Sequence, residues 1–152
     1  MLIPVVLIVI IIDQLSKYLV QNTMAQMQSI PIIPHIFHIT YVQNPGAAFS
    51  LLADQTVLFI VITVFAVIFS LVFYQKISKD KIVLRFAIAL LLGGALGNLI
   101  DRIRIGRVID FFDFRIWPVF NIADCAIVIG AVLISLELLK SGLIEHKEQK
   151  TE

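Results

Sequence analysis

Soft metal ligands and charge are both scarce in this chain of 152 residues, which has one cysteine, three histidines and 15% charged residues. The lone Cys125 excludes an internal disulfide, and with three histidines it supplies too few soft ligands for a structural zinc site. Soluble globular chains are about 25% charged, so the shortfall excludes an ordinary soluble domain. Twelve Lys and Arg against eleven Asp and Glu leave a net charge of +1, without the basic surplus that nucleic-acid binding needs. What abounds is apolar: 59% of residues are hydrophobic and the mean hydropathy is +0.96, which excludes disorder as well. The composition implies a single-domain membrane protein over residues 1–152, whose few polar residues are the informative ones.

Crossing the hydrocarbon core takes about 20 mostly apolar residues as a helix. Four runs qualify, at about residues 2–20, 57–74, 82–100 and 120–139. The first is interrupted by Asp13 and Lys17 and has no Lys or Arg ahead of it, so it reads as a retained span and not as a cleaved signal peptide. The second has no charge and reads as scaffold. Lys76, Lys79, Lys81, Arg85, Lys140, Lys147 and Lys150 fall on one side, seven cations against five (Lys17, Arg102, Arg104, Arg107 and Arg115) on the other. The excess predicts cytoplasmic termini and two longer outer links.

With that topology, Asp13 and Lys17 lie toward the outer half of span one, Asn98, Asp101 and Arg102 at the outer end of span three, and Asn121 and Asp124 in the first turns of span four. Asp110 and Asp113 hang in the link between. An Asp or Lys at a helix centre costs about 2.5–3.5 kcal/mol on insertion scales, so several of them at one depth imply a structural or functional return. Gly94, Asn98 and Asp101 share one helical face, as do Asn121, Asp124, Val128, Ala131 and Ser135. Gly93 and Gly97 form a small-xxx-small pair, expected to pack spans three and four together. Asp13 and Lys17, four apart with the acid first, suit an ion pair within a helix.

The outer links hold strand-like runs at residues 36–42 and 108–112, the first ended by the turn signal Asn44-Pro45-Gly46. Together they predict a small extracytoplasmic β-sheet on an otherwise all-α membrane fold, with Phe111, Phe112, Phe114 and Trp117 at headgroup level. Asp110 and Asp124, one on a loop and one at a helix start, are the pair best placed to face each other around a water. Two such carboxylates share a proton, so that one acts as general base on water and the other donates to the carbonyl under attack. Asp13, Asp101 and Asp113 remain open alternatives on this ground alone. Asp101 beside Arg102 reads as a charge-compensated acid.

Five ordered blocks then carry a resemblance: Asp13 with Lys17, Asn44-Pro45-Gly46-Ala47-Ala48-Phe49, the run from Gly93 to Arg102, Val108-Ile109-Asp110-Phe111, and Phe120-Asn121-Ile122-Ala123-Asp124. In these the chain resembles the lipoprotein signal peptidases, or signal peptidase II, along essentially its whole length. The resemblance implies a multi-pass aspartic endopeptidase of the bacterial inner membrane, with its site on the extracytoplasmic side. Its substrates would be prolipoproteins, cut just before a cysteine that carries a diacylglyceryl group. It also implies Asp110 and Asp124 as the catalytic pair, and Asp13, Asn44, Asn98, Asp101, Arg102 and Asn121 in substrate contact or site support. Lys17 joins the supporting set through Asp13. No metal or other cofactor is expected, nor any nucleic-acid partner; membrane lipid surrounds a monomer.

Blander readings stand beside these. Asp13 with Lys17 can be a buried structural pair, Cys125 a small buried thiol, His35 and His38 solvated loop residues, and Asp113 with Arg115 a solvated loop pair. A transporter would place acids near mid-membrane with a second gate, and an accessory subunit would explain the packing glycines but not the polar cluster.

Overall fold

A computed structural model of the chain describes residues 1–46 and 55–148. Ala47, Ala48, Phe49 and Asp54 lie outside the described residues, as do the side chains of the charged tail beyond residue 140. Four helices form where the apolar runs occur: α1 (Leu2–Thr23), α2 (Thr56–Lys76), α3 (Ile82–Ile105) and α4 (Ile122–Glu148). Each is long and apolar enough to cross a membrane. Three strands, β1 (Ser29–Ile33), β2 (Phe37–Asn44) and β3 (Val108–Asp113), make an antiparallel sheet in the order β1-β2-β3. Because β1 and β2 follow α1 while β3 joins α3 to α4, the sheet caps the end of the bundle where α1 and α3 stop and α4 starts.

The end of α3 is set by Gly106, whose φ of +72° is left-handed and whose N–H bonds back to Arg102 O at 3.0 Å, closing the helix as an αL cap. Helix α3 therefore runs five residues past the predicted boundary and carries Asp101 and Arg102 in its last turns. The predicted strands appear as β2 and β3. The third, β1, escapes a propensity reading because Pro31 sits inside it; it is an edge strand with all five residues exposed, where a missing N–H is tolerated.

Helix α3 is the buried centre of the bundle, with more than half of its span covered, and its small residues decide what covers it. A Cβ on Gly93 would lie 2.7 Å from Val9 Cβ and one on Gly97 2.6 Å from Asp13 Oδ2, so this pair chiefly admits α1, while Gly97 also faces α4, where its Cβ would lie 3.3 Å from Ala123 Cβ. Helix α4 is admitted by Gly94, where a Cβ would strike the Ala123 carbonyl. Its packing face is Ala123, Ala126 and Gly130, all buried, while Val128, Ala131 and Ser135 are exposed. The predicted polar stripe thus holds for Asn121 and Asp124 and then leaves the interface, because backbone approach requires the smaller residues. Helix α2, exposed along its span, packs on α3.

One apolar cluster, Val20, Met24, Tyr41, Ile109 and Phe111, ties the end of α1 to the sheet. Phe111 is thus a core residue, only 3% exposed, and not a headgroup aromatic; Phe114 and Trp117 remain exposed. Asp113 is likewise buried, not solvated: it accepts a hydrogen bond from Thr40 Oγ1 at 2.7 Å and pairs with Arg115 at 2.9 Å. Burial raises its carboxyl, but the bonds from Thr40 and Arg115 outweigh that and hold it below the usual carboxylate range. His38 Nδ1 lies 3.0 Å from Ser29 Oγ, and its Nε2 is buried without a partner among the described residues, so His38 is not simply solvated either.

Candidate functional site

The polar residues singled out in the sequence converge where the sheet meets the bundle. Lys17, 1% exposed, is the hub on α1. Its Nζ lies 2.8 Å from Asp13 Oδ2 and 2.8 Å from Asp101 Oδ2, and it donates to Asn98 Oδ1 at 3.0 Å. Asp13 to Lys17 is the expected pair one turn apart. Asp101, by contrast, makes its close ion pair with Lys17 and not with Arg102, because adjacent helical residues point about 100° apart. One cation between two buried carboxylates would be poorly solvated without further bonds, and these are present. Asp13 Oδ1 accepts the Ala123 N–H at 2.9 Å, and Asp101 Oδ2 accepts the Ile109 N–H at 3.2 Å. Gln14 Nε2 reaches Asp101 Oδ1 at 2.9 Å, Asp13 Oδ2 at 3.2 Å and Gly97 O at 3.2 Å. Gln14 was missed in the sequence; as the one amide beside Asp13 within an apolar span, it was a visible signal.

Asn121 and Asp124 close the start of α4 as a reciprocal cap. Asn121 Oδ1 accepts the Asp124 N–H at 2.9 Å, and Asp124 Oδ2 accepts the Asn121 N–H at 3.1 Å. An Asn followed three residues later by an acid is a capping-box spacing, with Asp in the place of the usual Glu or Gln. With Asp13 on the Ala123 N–H, three N–H groups at this buried helix start have partners.

Asp110 comes from β3, 2% exposed. The register shift between Ile39 and Val42 puts Val42 opposite Asp110. Asn44, two residues on from Val42 and therefore on the same face, reaches Asp110 diagonally: its Nδ2 donates to Asp110 Oδ2 at 2.9 Å. Asn121 Nδ2 donates to Asp110 Oδ1 at 2.7 Å, and Asn98 Nδ2 to Asp124 Oδ1 at 2.8 Å. Asn121 Nδ2 also lies 3.2 Å from Asn98 Oδ1, so two amides link Asp110 to Asp124. All four carboxylate oxygens of the two acids accept an N–H.

Burial pushes the Asp110 carboxyl up to about 7, and the nearby charge of Asp124 adds to this, against the opposing bonds from Asn44 and Asn121 and the charge of Lys17. Arg102, on α3, makes no close ion pair among the described residues. Its guanidinium lies 5.3 Å from the centre of the Phe59 ring and interacts electrostatically with Asp124, Asp110 and Asp101. The structure therefore gathers Asp13, Lys17, Asn44, Asn98, Asp101, Asp110, Asn121 and Asp124 into one hydrogen-bonded network, with Arg102 at its edge. An acid held partly protonated near neutrality beside a second acid can give and take protons from a small substrate group or a water.

Residues 5–140 match the family described as Signal peptidase (SPase) II. The chain is 53% identical over 133 residues to the lipoprotein signal peptidase of Moorella thermoacetica, covering 88% of this chain and 89% of that one. It is 55% identical over 134 residues to the lipoprotein signal peptidase of Halothermothrix orenii, covering 88% and 92%. A solved bacterial membrane enzyme superposes with a TM-score of 0.87 at 39% identity, covering 93% of this chain and 88% of the other. With four membrane-crossing helices, a sheet at one end and sequence identity at this level along nearly its whole length, the chain belongs to the signal peptidase II family.

Proposed function

We propose that the protein is a membrane aspartic endopeptidase that removes the signal peptide from diacylglyceryl-modified prolipoproteins, cutting just before the lipidated cysteine. The observation that carries this reading is the pairing of Asp110 and Asp124 through the amides of Asn121 and Asn98, with the Asp110 carboxyl raised to about 7. At neutral pH the two acids share a proton, held on Asp110. Asp124 takes a proton from a water as its oxygen bonds to the scissile carbonyl carbon, and Asp110 gives its proton to the carbonyl oxygen. The tetrahedral species then collapses: the carbon–nitrogen bond breaks, the proton on Asp124 passes to the departing amine of the cysteine, and Asp110 takes back a hydroxyl proton as the new acid's carbonyl forms, which restores the starting pair. Asn44, Asn98 and Asn121 hold the two carboxyls in place, while Asp13, Lys17 and Asp101 lock α1, α3 and the start of α4 beneath them. Arg102 is free of a close ion pair among the described residues and is suited to grip a substrate carbonyl.

A lipidated peptide is delivered by the membrane, and this reading places the site on the extracytoplasmic side of the bacterial inner membrane with both termini in the cytoplasm. The Lys and Arg distribution supports that orientation. In this reading the protein works as a monomer surrounded by lipid. The test is incubation of purified protein in detergent with a prolipoprotein in its lipidated and unlipidated forms. Cleavage before the modified cysteine only, unaffected by a chelator, is expected; loss on chelation with rescue by a divalent metal would replace the aspartic mechanism with a metal-dependent one.

A further inference from the structure

We infer that Thr40 is a positioning residue for Asp110: anchored on Asp113, it pins the bulge in β2 that turns Asn44 toward the acid. The inference rests on the reading above, in which Asp110 is catalytic. Strands β2 and β3 pair in one register at His38–Asp113 and Ile39–Phe112, and in another from Val42–Asp110 to Asn44–Val108. Thr40 and Tyr41 therefore share the space opposite Phe111, one residue more on β2 than on β3. If the first register continued, Tyr41 would stand opposite Asp110 and Asn44 would pass to the other face of the sheet, because a slip of one residue turns every side chain over. The bond from Asn44 Nδ2 to Asp110 Oδ2 at 2.9 Å thus depends on the bulge.

Neighbouring strands hold the bulge from both sides. Thr40 and Asp113 are both buried, and Thr40 Oγ1 donates to Asp113 Oδ2 at 2.7 Å. Asp113 is itself fixed by Arg115, whose N–H donates to Oδ1 at 2.8 Å and whose Nη1 donates to Oδ2 at 2.9 Å. On the other side β1 keeps one register with β2 from Ser29 to Pro31, with Ser29 opposite Thr40. The Tyr41 N–H donates to Gln28 O at 3.0 Å, and Tyr41 O accepts the Met27 N–H at 2.8 Å. Counting donors gives the hydroxyls a direction. A carboxylate only accepts, so the single Thr40 proton goes to Asp113; Ser29 Oγ, 2.8 Å from Thr40 Oγ1, must donate to it and in turn accept from His38 Nδ1–H at 3.0 Å. Ser29, His38 and Asp113 are therefore not a nucleophilic serine site, because Ser29 has no proton left to give His38. The chain of bonds ends on Asp113 and leaves the Thr40 hydroxyl one direction to point.

Asp113 lies three positions along β3 from Asp110, so the two side chains leave the strand on opposite faces and Thr40 reaches the acid only through the placing of Asn44. Asn44 opposes the upward shift of the Asp110 carboxyl. Releasing Asn44 therefore raises that carboxyl further and moves the decline of cleavage to higher pH. Thr40→Val keeps the shape of the side chain and removes its hydroxyl. In single-turnover cleavage of a lipidated prolipoprotein it is expected to lower the rate by about 10- to 100-fold with KM unchanged, and to move the upper limb of the pH–rate profile upward. Thr40→Ser keeps the hydroxyl and should leave the limb where the unaltered protein has it. In an Asn44→Ala background, T40V should add no further shift. A T40V profile lowered uniformly with its limb unmoved, a limb moved equally by T40S, or a full further shift in the N44A background would overturn the inference. Should T40V not fold, Thr40→Ala, which adds no apolar bulk beside Asp113, is read by the same criteria. If the unaltered protein cleaves no lipidated prolipoprotein, the proposed function itself fails; if it cleaves and T40V leaves the limb in place, only the assignment of Thr40 fails.

Discussion

Lys17 Nζ donates to Asn98 Oδ1 at 3.0 Å, and that bond fixes which way the Asn98 amide faces. A lysine has donors only, so Asn98 must present its oxygen to Lys17, which leaves Nδ2 for Asp124 Oδ1 at 2.8 Å. A residue on the first helix thereby orients a donor on the third toward an acid on the fourth.

Lys17→Met is therefore expected to cost about 3–5 kcal/mol of stability, since it strands two buried carboxylates without their cation. Pairing it with Asp13→Asn should recover part of the loss. Unfolding in detergent measures both. A single variant as stable as the unaltered protein would show that the Lys17 cluster does not hold the helices together.

The raised Asp110 carboxyl makes both stability and rate depend on pH. The folded protein keeps the Asp110 proton up to about 7, whereas the unfolded chain releases it near 3.8. Between those values the unfolded state binds fewer protons, so the contribution of Asp110 to stability falls as pH rises, and is fully lost above about pH 7. Cleavage, which uses the protonated form, should decline over the same upper limb. Asp113, held below its ordinary value, contributes in the opposite sense, with stability lost as pH falls. Asp110→Asn should flatten the stability slope approaching pH 7; a slope unchanged in that variant would contradict the assignment.

Close packing at α3 predicts a contrast between two glycines. Gly94→Ala puts a methyl against the Ala123 carbonyl, a backbone atom that moves only if α4 moves. Gly106→Ala meets nothing within 4 Å and suffers only from its φ of +72°. The second should cost about 1–2 kcal/mol, and the first more, with loss of cleavage as Asn121 and Asp124 shift. Equal costs in thermal unfolding would show that the α3–α4 approach is looser than described.

Orientation is open to labelling. In a Cys125→Ala background, single cysteines at Gln28→Cys and Gly106→Cys should react with an impermeant reagent added outside cells, and Lys79→Cys should not. The reverse pattern would place the sheet in the cytoplasm.

Much of this was legible in the sequence because the membrane makes polar residues costly and therefore sparse. The four helices, two of the three strands and the grouping of Asp13, Asn98, Asp101, Asn121 and Asp124 follow from run length, helical spacing and turn signals. What was not legible depends on tertiary contact. Gly93 and Gly97 have the spacing of a packing motif, yet spacing does not say which helix they receive. Asp101 sits beside Arg102 in sequence, and only the fold brings Lys17 to it from 84 positions away. Edge strand β1 hides behind Pro31, and Phe111 reads as an interfacial aromatic until the end of α1 is seen to cover it.

The central claim is that Asp110 and Asp124 perform hydrolysis as a pair, and single-turnover cleavage of a lipidated prolipoprotein in detergent tests it most directly. Asp110→Asn and Asp124→Asn should each abolish cleavage, by about 10⁴-fold or more as for essential members of a catalytic unit, while the variants still insert and bind substrate. Cleavage at the unaltered rate by either variant would contradict the account.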